Sequence, residues 1–369
     1  MKGVVRRSGF SGEVIEARQG EHRYEIRVGP GAAQALVPLA ARYDRVALVS
    51  CARVLESPAA AEAAALLRKR TPLALEHLLP DGEKGKRLAE IERAAVKLLE
   101  AGATRRSLVV AVGGGAVTDA AGFLAATFMR GVDWVAIPTT LLAMVDAAIG
   151  GKTAVNLPAA KNAVGAFHPP AAVLADPRTL ETLPARELRS GLGEVLKYAA
   201  LRPEMMGRVS GSGAGGPDAG LVAACARAKA EVVERDPTEK GERKLLNLGH
   251  TFGHGVEAAG GFSRFTHGEA VAIGLAFAFR LAARLGRIGP LAVAEVETAI
   301  AAAGLPLRLP PDLARRARAL MGYDKKRTAA GLQWVLPRAK GASWVVEWDV
   351  PADAQAVEGT LREIWEEGR

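Results

Sequence analysis

The chain has 369 residues, 49% of them hydrophobic and 24% charged, a composition that excludes a disordered polypeptide and a length that favours two domains, each with its own apolar interior. Its formal net charge of +9 fits nucleic acid, acidic lipid or an anionic small substrate, but the arginines are scattered and aromatic residues make up only 5%, so the stacking platforms and basic runs of a nucleic-acid binder are missing. The longest apolar run, "AVAIGLAFAF" at 270–279, is too short to span a bilayer, and no continuous apolar segment follows the basic residues of "MKGVVRRSGFSGEVIEARQG".

A soluble, cytoplasmic protein without membrane or nucleic-acid partners is therefore expected. Cys51 and Cys225 lie far apart with no C-x-x-C pair, so any metal ligands must come from histidine and carboxylate. From about 24 to 176, short β-rich runs alternate with helical stretches: "RVALVS" (45–50), "LALEHLL" (73–79), "SLVVAV" (107–112), "WVAIP" (134–138) and "AAVLAD" (171–176). This alternation predicts an α/β domain with a parallel, Rossmann-like sheet. Beyond "DPRTLETLPARE" the period changes to 3.6, which predicts a mainly α-helical second domain and a boundary within 177–185. The expected division is 1–180 and 181–369. "SGSGAGGPDAG" (210–220) reads as a mobile loop within the second domain. "LQWVLPRAKGASWVVEW" (332–348) reads as a strand pair and "LREIWEEGR" as a closing helix.

Three consecutive glycines, Gly113 to Gly115, stand directly between a buried strand and a helix. Their backbone can approach a pyrophosphate, and the helix N-terminus offers free N–H groups, although the pattern departs from G-x-G-x-x-G. "IGGKTAVN" (149–156) resembles the tail of a Walker A loop but carries Asp146 where glycine is required, which disfavours an ATPase. Lys152 still offers a phosphate a point charge.

In "ERKLLNLGHTFGHGVE" a continuous helix would place Arg243, Asn247, His250, His254 and Glu257 on one face, opposite Leu245, Leu246, Leu248 and Phe252. A solvated face is usually rich in Glu and Lys, so this stripe reads as a convergent site. His250 and His254 have the spacing of two metal ligands, but Thr251 stands where a metalloprotease has its glutamate. A catalytic zinc needs a third ligand. Glu194, Glu257 and Glu269 are candidates, His267 adds a third histidine, and spacing alone does not choose among them. His22, His77 and His168 read as ordinary surface or loop residues.

The segments "PDGEKGK", "AVGGGAVTDAAGFLAATFMRG", "IPTTLLAMVDAAIGGKTAVN", "KNAVGAFHPP", "GLGEVLKYA", "KAEVV", "LNLGHTFGH", "HGEAVAIG" and "DKK" resemble, in this order, the 3-dehydroquinate synthases of the shikimate pathway. The resemblance implies an N-terminal nucleotide-binding domain, a helical C-terminal domain and an active site between them. It implies NAD on Glu83, Lys86, Gly114, Gly115, Asp119, Thr139 and Thr140, with Lys152 and Lys161 also close to the cofactor. By the same resemblance Glu194, His250 and His267 hold Zn2+ or Co2+, and His254 is left for the substrate. Asp146, Lys152, Lys161, Asn162, Lys197, Lys229, Arg243, Asn247 and Lys325 would line the substrate site, and Arg130 would reach the phosphate of a neighbouring subunit in a homodimer.

The implied reaction converts 3-deoxy-D-arabino-heptulosonate 7-phosphate to 3-dehydroquinate and phosphate. It proceeds by transient NAD oxidation, phosphate elimination, re-reduction and intramolecular aldol closure, in an NAD- and metal-dependent carbon-oxygen lyase. Cys51 and Arg53 stand where many members carry Asp and Asn against the adenosine ribose, and Thr118 where many carry glycine. The competing readings are a related cyclase of inosose or valiolone type, a metal-dependent polyol dehydrogenase, and a non-catalytic NAD-binding protein. Arg243 and the "DKK" triplet argue against the cyclase, because a neutral sugar gives an arginine nothing to neutralise, the lysine-rich phosphate site argues against the dehydrogenase, and a non-catalytic protein would need no such ligand set.

Overall fold

The computed structural model describes residues 10–158, 160–210, 217–321, 327–328 and 331–365. Its strands are β1 (Glu13–Gln19), β2 (His22–Val28), β3 (Arg45–Ser50), β4 (Leu73–Leu78), β5 (Ser107–Gly113), β6 (Asp133–Pro138), β7 (Lys152–Leu157), β8 (Ala160–Phe167), β9 (Ala172–Ala175), β10 (Arg327–Thr328), β11 (Gly331–Lys340) and β12 (Ser343–Pro351). The helices are α1 (Leu36–Ala40), α2 (Ala52–Leu55), α3 (Pro58–Arg70), α4 (Leu88–Glu100), α5 (Gly115–Thr127), α6 (Ala185–Leu201), α7 (Met206–Ser210), α8 (Ala219–Arg235), α9 (His250–Ala259), α10 (His267–Arg284), α11 (Pro290–Ala302), α12 (Pro311–Leu320) and α13 (Ala354–Glu363).

The chain divides into two compact units, Met1–Pro184 with Asp218–Thr238, and Ala185–Pro217 with Glu239–Arg369. A single cut near 180 therefore misses an exchange. Helix α8 belongs with the first unit, where it packs on β1 and on the turn Ala143–Ala147. The apolar positions of α8 have helical period, and that period does not say which unit they cover. The 210–220 stretch is likewise not internal to the second unit, because the chain passes into the first at Asp218; residues 211–216 lie outside the described residues.

In the first unit seven strands form one sheet in the order β1-β2-β9-β6-β5-β3-β4. The β1–β2 hairpin is antiparallel and the remaining pairings are parallel. Strand β5, "SLVVAVG", is buried along its whole length, as a central parallel strand covered by helices must be. Its alternate residues Leu108, Val110 and Val112 cluster with Ala60, Ala63, Ala64 and Leu67 of α3. From β3 the chain runs outward to the edge strand β4, whereas from β5 it runs the other way to β6. The crevice beyond the carboxyl ends of β3 and β5 is thus a topological switch point, where open α/β sheets bind nucleotides. A separate antiparallel hairpin, β7–β8, packs on α5.

The second unit is mainly helical. Helix α10 is its centre and is buried through most of its length. Phe252 of α9 stacks on Phe277 of α10 with ring centroids 4.4 Å apart, and Phe277 stacks on Trp334 of β11 at 5.4 Å. Two backbone contacts without side chains set the spacing around α10. A Cβ built on Gly268 would lie 1.7 Å from the Ser190 carbonyl oxygen of α6, and one on Gly274 would lie 1.8 Å from that of Gly249. Only glycine fits at either crossing, and the two crossings draw α6, α9 and α10 together. The terminal helix is α13, earlier than expected, because Asp353 caps it by accepting from Ala356 N at 2.7 Å; residues 366–369 of the expected closing helix lie outside the described residues.

Candidate active site

In the first unit, Gly114 is the N-cap of α5 at the carboxyl end of β5. A Cβ there would sit 2.9 Å from Thr140 Cγ2, so the turn is open to a ligand only while the position stays glycine. Thr139 is buried and donates its N–H to the Gly113 carbonyl at 3.0 Å. Thr140 Oγ1 accepts from Ala143 N at 3.2 Å. Thr118 is buried and turned back on its own helix, donating to Gly115 O at 3.1 Å.

Lys86, 3% exposed, donates to Asp119 Oδ2 at 2.7 Å and to Asn162 Oδ1 at 2.6 Å. Burial raises the Asp119 carboxyl above its ordinary pKa, opposed by the Lys86 ammonium. Glu83 accepts from Asn156 Nδ2 at 2.6 Å. Lys229 of α8 donates to the Asp146 carbonyl at 2.7 Å and pairs with its Oδ1 at 2.9 Å. The exchanged helix therefore brings a predicted site lysine to a predicted site aspartate. Lys152 and Lys161 stand exposed on the β7–β8 hairpin. Arg130 is exposed with φ +68° beside Met129 at +50°, strained backbone of the kind that persists at functional positions. At the end of β3, Cys51 Sγ lies 3.6 Å from Asp81 Oδ1, and Arg53 Nη1 lies 3.6 Å from Asp81 Oδ2.

In the second unit the expected continuous helix over 243–257 is not formed. Glu242–Asn247 is a 3-10 turn, Leu248 is extended, and Gly249 has φ +78° as N-cap of α9. Glycine at 249 permits the left-handed break, and the close approach to Gly274 holds it there. Arg243 is consequently on a separate turn, fully buried, and Asn247 Nδ2 donates to Glu239 Oε1 at 2.7 Å. His250 and His254 remain one turn apart on α9, their rings perpendicular with centroids 5.4 Å apart. His254 is exposed, His250 buried. Lys325 lies outside the described residues.

Among the described residues, Glu194, His250 and His267 form a group whose donor atoms all lie within 4.8 Å of one another. His267 Nε2 is 3.1 Å and His250 Nε2 3.4 Å from Glu194 Oε1. Bonds of about 2.0–2.1 Å to a tetrahedral zinc separate its ligands by about 3.3 Å, close to the two distances from Glu194 Oε1. The other ring nitrogens are committed. His250 Nδ1 lies 3.1 Å from Leu248 O, and His267 Nδ1 3.2 Å from Glu257 Oε2. A proton on each Nδ1 leaves Nε2 as the atom for a metal once that nitrogen is unprotonated, the arrangement that orients metal-binding imidazoles.

Glu257 thus lies behind His267, and Glu269 serves the Thr266 capping box of α10 and an ion pair with Arg186 at 2.9 Å. Lys197 Nζ, one turn along α6, is 2.5 Å from Glu194 Oε2, and both side chains are buried. Burial would raise the Glu194 pKa, but Lys197 and His250 outweigh it and hold the carboxylate well below its usual range. Burial lowers His250 to about 4. For His267, burial is outweighed by the hydrogen bonds to Glu194 and Glu257, which push it up to about 10.

Sequence reasoning misplaced His77. It is buried on β4 and lowered in pKa first by burial, then by Lys97 of α4, because strand alternation turns position 77 inward. It also missed Asn156, whose small polar side chain carries no motif of its own.

Residues 76–190 match the 3-dehydroquinate synthase N-terminal family and residues 191–327 the C-terminal family. A 3-dehydroquinate synthase of Xanthomonas campestris pv. campestris is 46% identical over 348 residues, covering 89% of this chain and 93% of the relative. The chain belongs to the 3-dehydroquinate synthase family. Among solved structures, this family member resembles a 2-deoxy-scyllo-inosose synthase complexed with carbaglucose-6-phosphate, NAD+ and Co2+, with TM-score 0.82, 26% identity and coverage of 95% and 100% of the two chains. It also resembles ValA, a 2-epi-5-epi-valiolone synthase from Streptomyces hygroscopicus subsp. jinggangensis with NAD+ and Zn2+ bound, with TM-score 0.81, 29% identity and coverage of 94% and 98%.

Proposed function

We propose that this 3-dehydroquinate synthase family member converts 3-deoxy-D-arabino-heptulosonate 7-phosphate to 3-dehydroquinate and phosphate, as an NAD- and metal-dependent carbon-oxygen lyase. The observation that carries the reading is the convergence of Glu194, His250 and His267 with both Nδ1 atoms committed elsewhere. When bound, the metal supplies Lewis-acid polarisation at the C5 oxygen, and NAD supplies a reversible hydride acceptor.

The chain's own residues bind, orient and manage charge. Gly113 to Gly115 and the start of α5 receive the pyrophosphate, while Lys86, held by Asp119, and Glu83 fix the cofactor beside them. Arg243, fully buried, offers the substrate carboxylate a bidentate partner. Lys197 neutralises Glu194 and keeps it ionised as a ligand. Lys152, Lys161, Asn162 and His254 take the phosphate end, and the phosphate's own oxygens receive the proton lost as it leaves. Asp146, Lys229, Asn247 and Lys325 complete the substrate contacts. Arg130 serves the site of a neighbouring subunit, which makes the working form a homodimer.

No helix among the described residues is long and apolar enough to cross a membrane, in keeping with a cytoplasmic biosynthetic enzyme. The test is phosphate release from the seven-carbon keto-acid phosphate by metal-loaded protein with catalytic NAD. Phosphate in many-fold excess over NAD without accumulating NADH supports the synthase. Turnover of a sugar phosphate that lacks a carboxylate in its place reassigns the protein to the neighbouring cyclases.

A further inference from the structure

We propose that Asn156 is a positioning residue that couples cofactor binding to the phosphate end of the substrate site, an inference that rests on the synthase reading above. Asn156 lies where the β7–β8 ladder slips, between the paired residues Val155 and Leu157. A bulge of this kind re-aims a residue away from its own hairpin. Here Asn156 pairs instead with the cofactor turn: its N–H donates to Lys86 O at 2.8 Å, and it bridges to Arg87 in parallel fashion.

Its side chain is used in both senses. Nδ2 donates to Glu83 Oε2 at 2.6 Å, and Oδ1 accepts from Asn162 N at 2.9 Å. Asn162 has φ +52°, a left-handed conformation that asparagine tolerates better than other non-glycine residues and that a local restraint can fix in one state. Oδ1 of Asn156 is such a restraint, and the second comes from Lys86 Nζ, which donates to Asn162 Oδ1 at 2.6 Å.

The contacts form one continuous chain. Asn156 holds Glu83 and Asn162, Asn162 holds Lys86, and Lys86 holds Asp119. Glu83, Lys86 and Asp119 belong to the cofactor side of the proposed site, while Asn162 and its neighbour Lys161 belong to the phosphate side. A cofactor that orders Glu83 and Lys86 therefore also orders Asn162, and the ordering enthalpy and entropy are shared between the two ligands. The amide is the side chain that makes this possible, because it donates to a carboxylate and accepts from a backbone N–H at once.

The experiment is calorimetric titration of NAD+ into the metal-loaded full chain, with and without a non-eliminating phosphonate analogue of the substrate. The wild type is expected to bind NAD+ about tenfold more tightly with the analogue present, within the usual range of coupling between sites. Asn156→Ala keeps both binding events and brings that ratio below about twofold, with an unchanged melting temperature reporting an intact fold. Asn156→Asp places a second carboxylate against Glu83 and also loses the coupling. Coupling in both single variants equal to the wild type overturns the inference alone. Failure of the wild type to bind NAD+ overturns the proposed function, and the inference with it.

Discussion

The cofactor turn of the first unit and the metal group of the second solve the placement of charge in different ways. In the first, charge is divided: Lys86 and Lys229 are buried, whereas Glu83, Lys152 and Lys161 are exposed and the Gly113–Gly115 turn contributes backbone N–H groups. In the second, Glu194, Lys197 and Arg243 are almost fully buried. A surface group can be lost with its solvation intact. A buried one leaves its partner uncompensated, so the metal group is both better preorganised and less tolerant of change.

The sharpest test of that contrast is Glu194→Ala. It removes a proposed metal ligand and leaves the Lys197 ammonium buried without its carboxylate, a loss of about 3–5 kcal/mol for a broken buried pair. Chemical denaturation of the metal-free chain should show that loss, and metal analysis after dialysis should show no retained ion. A result like that of a surface substitution would remove the contrast. Gly268→Ala comes next. Its methyl would meet the Ser190 carbonyl at 1.7 Å, forcing α10 from α6, with an expected loss of about 1–3 kcal/mol or more from overpacking and weakened metal retention although every ligand is present.

In the first unit, Lys86→Ala should act chiefly on the cofactor. Asp119 is 18% exposed and keeps some solvent, so the stability loss should be about 1–3 kcal/mol, as for an unsatisfied hydrogen-bonded group, while the NAD+ dissociation constant by calorimetry rises at least tenfold. The pH dependence of metal binding sharpens the other side. His267 is raised from 6.5 to about 10, so its proton stabilises the metal-free fold fully below the unfolded value of 6.5, and this contribution is lost as pH rises through about 10. Metal must displace that proton. Zinc titration at pH 8 in weak buffer should release about one proton per ion, and apparent affinity should rise with pH across the window from 6.5 to 10. His267→Gln should abolish the release. The smallest effect is expected from Thr266→Ala, which removes the capping box of α10 at a cost of about 1 kcal/mol and leaves metal stoichiometry unchanged.

Much of the site was legible as residue types. The glycines after "SLVVAV" lie at the carboxyl end of a buried central strand, because hydrophobic runs bounded by glycine report strand ends directly. The histidines stood out because a polar stripe of Arg, Asn and His is an unusual solvated face. What went astray was the continuous helix over 243–257. Its i, i+4, i+7 pattern is real in sequence, but Gly249 breaks it at φ +78°, and the pressure for that break comes from Gly274 on another helix. Helix α8 was legible as a helix and illegible as a member of the first unit, since amphipathic period names a buried face and not its partner.

From the sequence alone came the α/β and helical halves, the phosphate-type glycine turn, and the supply of histidine and carboxylate from which a metal site had to be drawn. These follow from local preference and period, which each segment carries in itself. Spacing left Glu194, Glu257 and Glu269 open and the family resemblance pointed to Glu194; the tertiary structure set Glu194 beside His250 and His267, gave their Nδ1 atoms partners, and tied Asn156 across three segments. Most of those choices depend on distances between residues 10 to 73 positions apart in the chain, and such distances exist only once glycine contacts and core packing have brought the elements together.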